Sequence, residues 1–145
     1  MLNQWTKFAT LLSITFGVLL VTSVAAAPSD DPASDQTRIV SAGGRYLLGY
    51  RTRPTPLVLN ELFGLFVRVR ERYKLSPAKN VSLEVDAGML AHNHGMFTMP
   101  EVTRIGAGEF QVKGMLFHMT GEWNLAFILY RGPIKDRVEI DIVVD

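Results

Sequence analysis

Residues 137–142 read Arg137-Val138-Glu139-Ile140-Asp141-Ile142, a strict alternation of charged and apolar side chains. In an extended chain, successive side chains point to opposite faces. Val138, Ile140 and Ile142 therefore line one face and Arg137, Glu139 and Asp141 the other, which is the pattern of a half-buried strand. The same period of two recurs upstream. Trp123, Leu125, Phe127 and Leu129 alternate with Asn124, Ala126 and Ile128, and Phe110 and Val112 alternate with Gln111 and Lys113. Val81, Leu83 and Val85 alternate with Ser82, Glu84 and Asp86. Phe63, Leu65, Val67 and Val69 alternate with Phe66, Arg68 and Arg70, and Tyr46, Leu48 and Tyr50 form the first such set. Breakers separate the runs: Pro54, Pro56, Ser76-Pro77, Pro100, Gly106-Ala107-Gly108, Gly121 and Gly132-Pro133. Residues 60–74 also fit a helical stripe, through Glu61, Leu62, Leu65 and Phe66. The alternation of Arg68, Arg70 and Arg72 favours a strand there. Short strands at this spacing in about 100 residues predict an all-β domain at 45–145: an immunoglobulin-like antiparallel β-sandwich of about seven strands.

The chain has 145 residues and no cysteine, which excludes disulfides, thiolate metal sites and thiol nucleophiles. Its length suits one domain. The net charge of +1 gives no reason to expect a nucleic-acid partner. Residues 1–26 read as a secretory signal peptide: Lys7, then an apolar run from Phe8 to about Val21, then small residues around Ser23-Val24-Ala25. The alternative is an uncleaved anchor, since Phe8–Ala27 is just long enough to span a bilayer. Lys7 accounts for the +1, so the remainder is formally neutral. Residues 27–44, rich in Pro, Ser, Asp and Gly, read as a flexible tether. A periplasmic or secreted location is expected, or a membrane-tethered one if the leader is retained.

Histidine and methionine are confined to one stretch. His92, His94 and His118, with Met89, Met96, Met99, Met115 and Met119, all fall between residues 89 and 119, and the initiator is the only other methionine. In an extended chain His92, His94 and Met96 share a side. His118 and Met119 are neighbours, so in a regular strand only one of them would join a common site. Imidazole suits both copper oxidation states and thioether selects Cu(I). A cysteine-free His/Met set is suited to holding copper where thiols oxidise. Zinc leaves the methionines unexplained, and calcium and magnesium want oxygen ligands. The candidate metal ligands are His92, His94, Met96, His118 and Met119. The bland reading is that Met fills core gaps and the histidines merely hydrogen-bond.

The string Asp86-Ala87-x-Met89-x-x-His92-x-His94-Gly95-Met96-x-x-x-Pro100, followed by Gly108-x-Phe110-x-Val112-x-Gly114-Met115-x-Phe117-x-Met119-x-Gly121-x-Trp123-x-Leu125, resembles the YtkA-like domain family and, more loosely, FixH-like proteins. The resemblance covers about residues 60–130. It implies an exported or membrane-tethered immunoglobulin-like sandwich, of a kind in some cases associated with copper handling and respiratory oxidase assembly. The family's His-x-His-Gly-Met stretch maps onto His92, His94, Gly95 and Met96. Its Met-x-Gly-x-Trp stretch maps onto Met119, Gly121 and Trp123. Many relatives carry a proline soon after the first Met, where this chain has Leu90-Ala91.

Other signals are weaker. Arg68, Arg70, Arg72 and Lys74 read as a basic stripe that protects an edge strand or touches an anionic partner. Glu84 and Asp86 share a face, and Asp86 is a candidate to orient a histidine. Trp123 reads as a core anchor with its N–H paired. No Gly-x-Ser-x-Gly elbow marks a nucleophile, so no enzyme and no small-molecule substrate is expected. The leading expectation is a copper-binding protein for storage or delivery, with a copper-receiving membrane protein as its partner. The alternative is a non-catalytic interaction module that docks on a membrane protein and uses no metal.

Overall fold

The alternating stretches form strands where their patterns place them. The computed structural model describes residues 37–145. The expected signal peptide at 1–26 and tether residues 27–36 lie outside the described residues. The strands are β1 (Thr37–Val40), β2 (Tyr46–Arg53), β3 (Leu62–Glu71), β4 (Ser82–Met89), β5 (His94–Gly95), β6 (Glu101–Gly106), β7 (Glu109–Leu116), β8 (Gly121–Arg131) and β9 (Ile134–Val144). A single turn of 3-10 helix, Leu90–His92, follows β4. Residues 60–74, where a helix competed, contain β3. Among the described residues no helix is long and apolar enough to cross a membrane.

The strands form a five-stranded sheet of order β1-β2-β3-β7-β6 and a four-stranded sheet of order β5-β4-β8-β9. All pairings are antiparallel. Without the edge strands β1 and β5, the orders β2-β3-β7-β6 and β4-β8-β9 reproduce the two sheets of an immunoglobulin-type sandwich. The inward residues of the alternating runs meet between the sheets. Leu48, Leu65, Val69, Val112, Leu125 and Leu129 are fully buried there, beside Tyr46 and Phe127. At one end Phe63, Phe117 and Trp123 form an aromatic column, with centroids 4.9 Å apart for Phe63–Phe117 and 4.8 Å for Phe117–Trp123.

Three details differ from the sequence reading. Among the described residues the sandwich has nine strands, because β1, the two-residue β5 and the largely exposed edge strand β6 carry too little pattern to register. Residues 37–44, which the sequence reading assigned to the tether, hold a strand and a turn that join the sheet. Residues 37–40 pair with β2, and the turn at 41–44 is pinned by distant partners: the Ser41 hydroxyl donates to Asp136 Oδ2 at 2.8 Å and the Gly43 N–H donates to Oδ1 at 2.7 Å. Finally, β3 is a central strand that ends at Glu71, so Arg72 and Lys74 lie in the turn beyond it and the stripe guards no edge.

Candidate metal centre

Two loops at the aromatic end of the sandwich carry the histidines. The first leaves β4. Its chain turns through Leu90–His92 and reverses at Asn93, which holds φ 52°, a left-handed conformation that asparagine tolerates. It then returns as β5, with Met89 opposite His94 and Gly88 opposite Gly95. A side chain at Gly88 would crowd the His94 carbonyl, since a Cβ there would lie 3.2 Å from it. Met96 donates its N–H to Ala87 O at 3.2 Å and so continues the ladder. The run from His92 to Met96 is therefore a turn and a short return strand. It is not the single extended face that the spacing allowed.

The second loop joins β7 to β8 and crosses from one sheet to the other. His118 and Met119 lie in it, outside any strand, which removes the expected rule that they must face opposite ways. The indole N–H of buried Trp123 donates to the Met119 carbonyl at 2.9 Å and ties the loop down. Gly121 holds φ 120°, and a Cβ there would meet Met89 Cε at 2.9 Å. The role expected for Trp123, an anchor with its N–H paired, is what the structure shows.

These loops bring the three imidazoles together. The centroids of His94 and His118 are 5.3 Å apart, and those of His92 and His94 are 5.9 Å apart. Two imidazoles that each reach one ion at about 2 Å, with trigonal to tetrahedral angles between them, have centroids roughly 5–6 Å apart. The His94–His118 spacing is of that size. Trp123 stands edge-on to both rings, at 6.1 Å from His94 and 5.3 Å from His118. His118 is half-buried, and its Nδ1 is buried with no hydrogen-bond partner. Buried polar atoms almost always have a partner, so an orphan nitrogen marks a place where a further group belongs. His94 Nδ1 lies 3.4 Å from Gly95 O, a long contact that suits an N–H donor there and would leave Nε2 as the lone-pair nitrogen.

The methionines divide. Met89 and Met115 are core residues, 2% and 0% exposed. Met96 is half-buried and packs against the core, while Met119 beside His118 is 40% exposed. Met99 stands in solvent. Asp86 accepts the N–H of its own neighbour Ala87 at 2.8 Å, which accounts for its carboxylate without a histidine. Among the described residues no group of three or more His, Asp and Glu side chains is arranged to hold an ion. The donor set is therefore a close imidazole pair, with His92 and two thioethers nearby in the chain.

Sequence reasoning missed Phe97. Its ring stacks on His118 at 3.9 Å, with 24° between planes, and is otherwise 80% exposed. An aromatic inside the His/Met stretch was the available signal.

The fold and this loop cluster define a β-sandwich with an imidazole-rich end. No protein-family model matches the chain, and no curated protein matches it. The ZirS C-terminal domain, a solved structure, aligns with a TM-score of 0.39 at 8% identity over 97% of this chain and 86% of that one. Likeness at that level carries no argument about function. The resemblance to YtkA-like domains therefore rests on the residues quoted above.

Proposed function

We propose that the domain binds one copper ion, Cu(I) in preference, between the imidazoles of His94 and His118, and stores it or delivers it outside the cytoplasm. His92, Met96 and Met119 are the remaining candidate donors. The role is non-catalytic, and the recipient is a copper-accepting membrane protein. The observation that carries this reading is the approach of His94 and His118, from loops 24 residues apart in sequence, with the buried Nδ1 of His118 lacking any partner. Imidazole with thioether is a donor set that suits copper better than zinc, calcium or magnesium. The resemblance to YtkA-like domains supports the same reading. Competition titration of the protein with Cu(I) against a chromophoric chelator tests it. One tightly held equivalent is expected, lost in His92→Ala/His94→Ala/His118→Ala; equal binding by that variant rejects the proposal.

A second reading has its own support. Leu90, Phe97 and Met99 are 80%, 80% and 94% exposed in the loops at this end. Exposed apolar side chains of this kind suit a protein interface. In that reading the sandwich is an interaction module and the imidazoles are incidental. A protein that binds no copper in the titration fits this reading.

A further inference from the structure

We propose that the outer face of the five-stranded sheet is a docking surface for an anionic phospholipid bilayer. This rests on observations separate from the histidine site.

Strand register puts Arg38, Arg51, Arg53, Arg70 and Lys113 on that outer face, together with Arg68. Among the described residues the acids on the same face are Glu109, which binds Arg68 at 2.9 Å, and Glu101, which sits opposite Lys113. Among the described residues no carboxylate lies within ion-pair distance of Arg38, Arg51, Arg53 or Arg70. The four-stranded sheet is the reverse. Its outer face carries Glu84, Asp86, Glu122, Glu139 and Asp141, against Lys135 and Arg137. Arg137 is paired with Glu139, and Lys135 lies over the Tyr130 ring. A nearly neutral chain thus folds into a charge-segregated slab.

That polarity selects the partner. Alternate residues of a strand are about 7 Å apart and neighbouring strands about 4.8 Å. Arg38, Arg68 and Arg70 line one small cleft, but Arg51, Arg53 and Lys113 lie outside it on the same face, so the set as a whole, spread across four strands, matches an array of anions better than a single anion. A flexible polyanion would also meet the acidic sheet, whereas a planar bilayer touches one face and leaves the other turned away. Apolar groups lie among the cations: Leu47, and Phe66 beneath the guanidiniums of Arg51 and Arg53 at 4.8 and 5.7 Å. Arginine over an aromatic ring at a flat surface suits the phosphate and acyl boundary.

Vesicle co-sedimentation of the full chain tests the proposal. Binding through the apolar segment at residues 8–27 would add equally to zwitterionic and anionic vesicles, so the measured quantity is the excess on phosphatidylglycerol-containing vesicles over phosphatidylcholine vesicles. An excess is expected that falls as salt is raised from about 0.05 to 0.5 M. Each basic side chain near an anionic surface contributes roughly fivefold, so Arg51→Gln/Arg53→Gln/Arg70→Gln should cut the excess by about a hundredfold. Arg38→Gln/Lys113→Gln is a second variant, at the rim of the face, should the first unfold. Glu84→Gln/Glu139→Gln on the opposite sheet should leave the excess in place. Equal sedimentation with both vesicle types overturns the proposal. So does salt-sensitive self-association without vesicles that the arginine variant abolishes, because the occupant is then a second copy.

Discussion

The ring of His118 is boxed in by Phe97 on its face, by the Trp123 edge, and by His94 beside it. That arrangement makes Trp123 a reporter. Bound Cu(II) within a few ångströms of the indole quenches its emission, so titration of a Trp5→Phe protein should show stoichiometric quenching, weakened in His94→Ala and in His118→Ala and abolished in His94→Ala/His118→Ala. Trp123→Phe removes the N–H held by the Met119 carbonyl and leaves a small void. It should cost roughly 1–3 kcal/mol in urea denaturation. Much at this scale was legible. Confinement of His and Met to one stretch pointed to two loops that folding brings together, and Trp123 is the buried anchor with a paired N–H that its sequence context suggested. The division of the methionines was not legible, because Met115 in the core and Met119 at the surface look alike without the tertiary neighbours. Phe97 was passed over for the same reason: stacking on His118 joins two loops that only folding brings together.

Strands announced themselves through alternation, and turns decide how they join. The β6–β7 hairpin depends on Gly108, whose φ is 67° and whose carbonyl accepts the Val69 N–H at 2.7 Å. A Cβ at this position would lie 2.3 Å from the Val69 carbonyl oxygen. Gly108→Ala should therefore destabilise by about 2–3 kcal/mol, read from the denaturation midpoint, through left-handed strain and backbone crowding. The turn before β2 depends on Asp136 in the same way. Burial works to raise its carboxyl, but the Gly43 N–H, the Ser41 hydroxyl, the Arg137 N–H and the Arg45 charge together hold it below the ordinary aspartate value. A depressed folded-state value means the contribution is complete above the unfolded value of about 3.9 and disappears as pH falls through the lower one. Asp136→Asn should cost roughly 1–3 kcal/mol at pH 7, and the gap between the two proteins should narrow as pH falls below the ordinary aspartate value. Residues 37–44 looked like linker because their composition is Ser, Ala and Gly beside a four-residue edge strand. What orders them is a carboxylate more than 90 residues away, which no local pattern reveals.

At the scale of the molecule, periodicity was enough to give two packed sheets, since inward apolar rows must meet their like. Net charge was not enough to give the surface. A total near zero conceals one cationic and one anionic sheet face, because the assignment of Arg51, Arg53, Arg70 and Lys113 to a common side needs the pairing register. The candidate metal site is likewise a property of the whole fold. His94 comes from the edge of the four-stranded sheet, and His118 from the loop that carries the chain between sheets. Binding there should favour the folded state, so one equivalent of copper should raise the unfolding midpoint of the parent protein and leave that of His94→Ala/His118→Ala unchanged. The most direct measurement is pulsed electron paramagnetic resonance of the Cu(II)-loaded protein, which counts coordinated imidazoles through their remote nitrogens. Two imidazoles are expected in the parent and one in each of His94→Ala and His118→Ala. A spectrum unchanged by both substitutions would place the ion elsewhere and contradict the account.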